Sequence, residues 1–219
     1  MALSILAITP LLGAIYSFYR FKEWGLYKSY MGISLLSIGL SLTMFFLGQS
    51  LYFLDSFLTP KLELYDFFFI FMDPLYLIGI YYIAKTIGTF KYFHSNLSLI
   101  FLPILLLVIN YLIVGFLTNN DVILLILNFD INGLFIFGSI LLATFIICIL
   151  IFSNKLGGVF KKSLHLILVG ILFQFAGDNV FKFLQNQDSN GTLADLLFFV
   201  SLSLITYGVY KLDPEKLNE

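Results

Sequence analysis

The side chains with the most chemistry to offer are ionisable groups set inside apolar stretches: Asp66, Asp73, Asp130, Asp178, Lys182 and Asp195. Gln49, Asn110, Asn132, Gln174 and Asn179 are neutral polar residues in similar settings. Such groups are costly to bury in an apolar medium, so they gather where they can pair or line a cavity. Gln174, Asp178 and Lys182 are spaced by four and form one stripe on a helix. Asp66 and Asp73 are seven apart and share a face. Carboxylates beside amides and an ammonium suit a polar ligand. Asp73, Asp178, Asp195, Asn179, Lys182, Gln49 and Gln174 are therefore the expected ligand-binding residues.

Each also has a structural reading. Asp73 precedes Pro74, the order of an N-cap followed by proline at the first helical position, so a helix can begin or restart there. Asp195 lies near a helix start, where a carboxylate favours the positive end of the dipole. Asp178 and Lys182 can pair with each other, and Asp66 and Asp130 can lie at a water interface.

The elements that position these residues follow from composition. The chain has 219 residues, of which 60% are hydrophobic and 11% charged, against about 25% charged in a soluble domain. Folded in water it would expose large apolar patches. Runs long enough to cross a bilayer, about 20 residues, lie near 2–19, 31–54, 66–90, 96–117, 131–153, 163–184 and 193–211. The segment 121–130 is apolar but too short to span, and can extend the fifth helix or lie at the interface.

Lysine and arginine mark alternate connections. Arg20, Lys22 and Lys28 lie in the first, Lys85 and Lys91 in the third, Lys155, Lys161 and Lys162 in the fifth, and Lys211 and Lys216 in the tail. The intervening loops hold only Lys61. By the positive-inside rule this predicts an all-α polytopic bundle of seven transmembrane helices, N-terminus outside and C-terminus cytoplasmic. Charge follows rather than precedes the first apolar run, so that run reads as a span and not a cleaved signal. Residues 1–211 form the transmembrane domain and 212–219 a short cytoplasmic tail, in a cell-membrane protein surrounded by lipids. Asn190-Gly191-Thr192 matches a glycosylation sequon on an outside loop.

An internal repeat is visible. Gly48-Gln49-Ser50-Leu51-Tyr52 in the second helix is similar to Gly177-Asp178-Asn179-Val180-Phe181 in the sixth. Asp73-Pro74-Leu75-Tyr76 in the third is similar to Asp195-Leu196-Leu197-Phe198 in the seventh. Helices 1–3 and 5–7 would then be parallel repeats joined by helix 4.

Several functions are disfavoured. A net charge of −1 offers no basic surface for nucleic acid. Cys148 is a lone cysteine in an apolar run and reads as a buried thiol. His94 and His165 stand away from the carboxylates, and without a His-x-x-x-His or Cys-x-x-Cys pair no zinc site is expected. No phosphate loop, dinucleotide fingerprint or Gly-x-Ser-x-Gly elbow occurs, so no cofactor is expected. The last helix carries lysine only at its end, Lys211, so the Schiff-base lysine of a retinal protein is missing.

The stretch from Phe173 to Leu212 resembles the end of the seven-helix membrane sensor regions that precede diguanylate cyclase or histidine kinase domains in prokaryotic signalling proteins. The resemblance rests on Gly177-Asp178-Asn179, a short polar loop, Asp195-Leu196-Leu197-Phe198 and Gly208, with Asp73-Pro74-Leu75-Tyr76 similar to the motif of the third helix. It implies a sensor-like or accessory subunit with an outward-facing polar pocket, acting through a partner protein in the membrane. The sequence departs from that pattern in carrying no output domain after Lys211. A small transporter of parallel three-helix repeats is an alternative. A lipid hydrolase using paired aspartates is another, since Gly177-Asp178 is faintly similar to motifs of multi-helix lysoplasmalogenases.

The topology has a direct test. Single cysteines introduced by Gly191→Cys and Gly157→Cys should label from opposite sides, with an impermeant reagent on intact cells reaching only position 191. Labelling at 157 alone would reverse the orientation.

Overall fold

The computed structural model describes residues 2–55, 57, 64–89, 98–118, 131–153, 160–185 and 192–217. These residues form helices and turns, with no strand among them. In chain order the α-helices are α1 (Ala2–Glu23), α2 (Tyr30–Asp55), α3 (Tyr65–Ile87), α4 (Ser98–Thr118), α5 (Ile131–Ser153), α6 (Lys161–Gln185) and α7 (Thr192–Tyr210). Each falls on one of the apolar runs read from the sequence. Four are long and apolar enough to cross a membrane: α2, α3, α6 over Lys161–Phe181, and α7 over Leu193–Tyr210. Shorter apolar stretches occupy α4 (Phe101–Gly115) and α5 (Ile136–Phe152). Segment 121–130 and the sequon at Asn190-Gly191 lie outside the described residues.

One local expectation is corrected. The helix neither begins nor restarts at Asp73-Pro74; α3 runs unbroken from Tyr65 through Pro74. Asp73 is therefore mid-helix and buried, not an N-cap. The helix ends at Gly88, whose φ of 78° is one that glycine adopts without strain.

Helix contacts close a ring. α1 packs on α2, α2 on α3, α3 on α5, α5 on α6, α6 on α7, and α7 returns to α1. α4 lies against α5 and α6. Its Asn110 donates to Thr144 Oγ1 on α5 at 2.9 Å, and Val114 packs with Ile136 and Ile140. Pairing of 110 with 144 and 114 with 140 makes α4 antiparallel to α5. The basic residues Arg20, Lys85, Lys161 and Lys211 stand at one end of the ring. Trp24 there meets Phe160, with ring centroids 5.2 Å apart, and Tyr30 meets Tyr82.

The ring has two similar halves. At Gly48 of α2 a Cβ would lie 2.8 Å from the Phe69 ring of α3; at Gly177 of α6 it would lie 3.0 Å from the Phe198 ring of α7. At Gly79 of α3 the neighbours are Ile38 Cγ1 and Ser34 O of α2; at Gly208 of α7 they are Ile167 Cγ1 and Ser163 O of α6. Ser41 Oγ of α2 donates to Met72 O of α3, where Gly170 of α6 approaches Ser201 O of α7. Every one of these pairs is related by the same displacement of 129 positions. Burial follows it too: Met72, Asp73, Tyr76, Gly79, Ile80 and Ile83 of α3 match Ser201, Leu202, Ile205, Gly208, Val209 and Leu212, and all are buried. In α1, Pro10, Gly13, Ala14, Ser17 and Arg20 match buried Ser139, Leu142, Ala143, Ile146 and Ile149 of α5.

This displacement differs from the motif pairing expected for helices 3 and 7. The contacts align Asp195 with Asp66, and Asp73 with Leu202. The motif pairing is off by two helical turns, a shift that leaves the same face inward and so is hard to see in an apolar sequence.

The close crossings give a stability test. Gly79→Ala and Gly208→Ala should each cost about 1–3 kcal/mol, because the added methyl meets a neighbouring helix. Gly138→Ala, whose Cβ would sit 3.5 Å from Asp73, should be tolerated. Thermal unfolding in detergent measures all three; equal stability throughout would show that the crossings are not tight.

Candidate polar site within the helix ring

Asp73 points inward because α3 presents it on the same face as Met72, Tyr76 and Ile80, all buried against neighbouring helices. It is 4% exposed. Across the α3–α5 contact Ser139 donates to Asp73 Oδ2 at 2.7 Å. One turn along α3, the fully buried Tyr76 hydroxyl donates to Gln174 Oε1 of α6 at 3.2 Å. The Gln174 amide nitrogen lies 2.8 Å from Met72 Sδ. These bonds fix the amide orientation, since the oxygen must accept and the nitrogen donate.

Asp178 stands one turn beyond Gln174 on the same stripe. Asp73, Tyr76, Ser139, Gln174 and Asp178 line one cavity. Leu142, Ile171 and Phe175 complete its wall. It has room for about one water molecule. Both carboxylates lie within electrostatic reach of the Tyr76 hydroxyl. Asp73 is twelve residues from Lys85 along α3, so the cavity lies about 18 Å from the basic end at 1.5 Å per residue. Between the two stand Ile80, Ile83, Ile146, Ile149, Ile167 and Leu168, each 0% exposed.

Of the residues expected at the site, Asp73, Gln174 and Asp178 come together. Asp195 does not join them: it is exposed in the first turn of α7. The 129-position displacement explains its place, because it matches Asp66, which is exposed at the start of α3. Asn179 is buried, but its amide donates to Phe175 O of its own helix at 2.7 Å and it does not line the cavity. Gln49 is half-buried and also outside the lining; it matches Asp178 in the other half. The Lys182 side chain, its proposed pairing with Asp178, Asp130 and the Asn132 side chain lie outside the described residues. Asn110 serves the α4–α5 contact instead. Tyr76 and Ser139 were not foreseen. Tyr76 could have been found one turn from Asp73 on the same face; a serine in an apolar helix gives no such signal.

Most of the equivalent lining in the other half is apolar, with Gln49 standing for Asp178. Asp73 corresponds to Leu202, Tyr76 to Ile205, Ser139 to Pro10, Ile171 to Leu42 and Gln174 to Phe45. All five are buried. Phe45 fills the space there, with its ring centroid 6.0 Å from that of Phe198. The same helix packing thus holds without polar groups at the positions of Asp73, Tyr76, Ser139 and Gln174, so the crossing itself does not require those four. Among the described residues no group of three or more His, Cys, Asp or Glu side chains is placed to hold a metal ion. The chain matches no known protein family, no curated protein and no solved structure.

Coupling between Tyr76 and Gln174 can be measured. Gln174→Leu alone should cost about 1–3 kcal/mol, because it removes a buried acceptor from the Tyr76 hydroxyl. Adding Tyr76→Phe should recover most of that loss, as paired apolar replacements do. Unfolding of the two single variants and the double variant in detergent decides this; additive losses would mean that the two side chains act separately.

Proposed function

We propose that the chain is a seven-span cell-membrane protein, N-terminus outside and C-terminus cytoplasmic, made of two parallel three-helix units joined by α4. Its function on this reading is sensor-like: a small polar ligand enters the cavity between α3, α5 and α6, and a protein partner in the membrane reads the result. The orientation puts that cavity in the outer half of the bilayer and the basic end at the cytoplasm. Buried Asp73, Tyr76, Ser139 and Gln174, whose counterparts in the other half are apolar, carry the reading. A group that the fold does not need and that is costly to bury in a membrane marks function.

The cavity is closed toward the cytoplasm by the isoleucine and leucine layer, which favours binding over passage. Tyr76 and Phe175 supply aromatic walls, and the donors and acceptors can orient a polar guest. The lipid-hydrolase reading finds less support, because the cavity has room for about one water molecule, too little for an ester and its lipid. The transporter reading keeps one observation in its favour: a site between parallel repeats is the arrangement of some carriers.

The test uses ligand-induced stabilisation. Purified protein is screened by thermal unfolding against small polar solutes, then compared with Asp73→Asn and Asp178→Asn. A solute that raises the wild-type midpoint by several degrees should have no effect on either variant, while both variants stay folded. Proteoliposome uptake of that solute separates sensing from transport. Full stabilisation of both variants would remove the polar site from consideration.

A further inference from the structure

The cavity between α3, α5 and α6 offers a guest many acceptors and almost no donors. The Ser139 hydroxyl gives its proton to Asp73 Oδ2 at 2.7 Å. The Tyr76 hydroxyl gives its own to Gln174 Oε1 at 3.2 Å. One N–H of Gln174 is directed at Met72 Sδ, 2.8 Å away, which leaves the second. Against that hydrogen stand the side-chain oxygens of Asp73, Tyr76, Ser139, Gln174 and Asp178, all from residues that line the void. Asp73, Ser139 and Asp178 make further interactions. An ionised carboxylate has about four acceptor sites and a hydroxyl oxygen about two, so lone pairs remain for a guest.

Charge and size narrow the guest further. Among the described residues that line the cavity, two are carboxylates and none is cationic. The carboxylates repel an anion. A space of about one water molecule excludes an organic solute of several heavy atoms. Water itself fits, but it brings only two hydrogens to five oxygen-bearing side chains. A bare cation meets all of them at once and offsets the cost of holding carboxylates away from water. Carboxylate and carbonyl oxygens, with no imidazole or thiolate among them, suit a hard cation. Mg²⁺ keeps several of its waters, for which there is no room. Ca²⁺ takes about six to eight oxygens, which five side chains give only if both carboxylates bind through both oxygens, and Ser139 already engages Asp73 Oδ2.

We infer that the guest is a single dehydrated alkali cation of sodium's size, held by the Asp73 and Asp178 carboxylates and by the oxygens of Tyr76, Ser139 and Gln174. This rests on the reading of the cavity as a ligand site, and it names the class of ligand that the site takes. The donors come from α3, α5 and α6, so the ion ties three helices together and favours the arrangement in which they close on it. The other half offers no second site. Leu202, Ile205, Pro10 and Phe45 stand there for Asp73, Tyr76, Ser139 and Gln174, and none of them has a side-chain oxygen. Each chain therefore takes one ion.

Equilibrium binding of radioactive sodium to the purified full chain in detergent tests this, with choline chloride holding the ionic strength constant. The wild type should bind a single saturable sodium per chain, and potassium should compete about tenfold more weakly because the cavity is small. Asp73→Asn and Asp178→Asn should each weaken sodium binding about tenfold or more, since each removes a charged ligand. The double variant Tyr76→Phe with Gln174→Leu keeps both carboxylates and strands neither partner. It should also weaken binding about tenfold, so the test does not hang on how the aspartate variants fold. Gln49→Leu, outside the lining, should bind as wild type. No saturable sodium binding, displacement of the label by calcium at lower concentration than by sodium, or unchanged affinity in the aspartate or double variants would each overturn the inference. The ligand reading fails separately. If sodium does not bind, but a polar solute stabilises the wild type and neither aspartate variant, the cation falls and the ligand site stands. If neither sodium nor any solute distinguishes the wild type from Asp73→Asn and Asp178→Asn, the site itself falls.

Discussion

The close approach of helices at small residues is the constraint on which the rest depends. On the membrane reading, the hydrophobic effect gives little drive for association between helices, so packing and backbone proximity must hold the bundle together. Gly79 against Ser34 and Gly208 against Ser163 bring the paired helices nearly backbone to backbone. Gly48 and Gly177 each receive a phenylalanine ring. These crossings fix the rotation of every helix about its own axis. That rotation decides that Asp73 and Gln174 face the interior while Asp66 and Asp195 face outward. Apolar side chains elsewhere fill the interior, as with Leu35, Ile38, Ile167 and Leu168, none of which is exposed.

Once rotation is fixed, polar groups can be placed with little freedom to escape. Ser139 and Asp73 are brought together from helices far apart in sequence, and Tyr76 meets Gln174 across the ring. A satisfied cluster of this kind specifies one arrangement of helices, because any other would strand its members in an apolar medium. Specification alone does not account for it here, because the other half reaches the same packing with Leu202, Ile205 and Phe45. The two halves act as a control for each other: what they share belongs to the fold, and what they do not share asks for another reason.

Much of this was legible in the sequence, and the rest was hidden for definite reasons. The positions and order of the described helices followed from long apolar runs. Gln174 and Asp178 were readable as one stripe because a spacing of four is nearly a whole turn. The inward turn of Asp73 was foreseen, but not the continuous helix around Pro74, whose missing N–H is tolerated within a supported bundle. Asp195 was placed at the site because a short motif matched Asp73 better than the true register did. In a sequence of few residue types, two turns of slippage cost almost nothing in similarity, whereas side-chain contacts do not permit it. Gln49 was grouped with its own counterpart, Asp178; the repeat places the two at corresponding positions in opposite halves. Ser139 was invisible, since a lone serine among apolar residues carries no period and no charge.

The differences between the halves are not scattered. Polar residues replace apolar ones at the distal part of the α3–α5 seam, and a charged group replaces an isoleucine at the basic end of the α1–α7 seam. Had the substitutions served only to tighten the bundle, they would be expected at both seams and at the same depth. Placed as they are, one strengthens a contact and the other lines a void between surfaces that fit less closely.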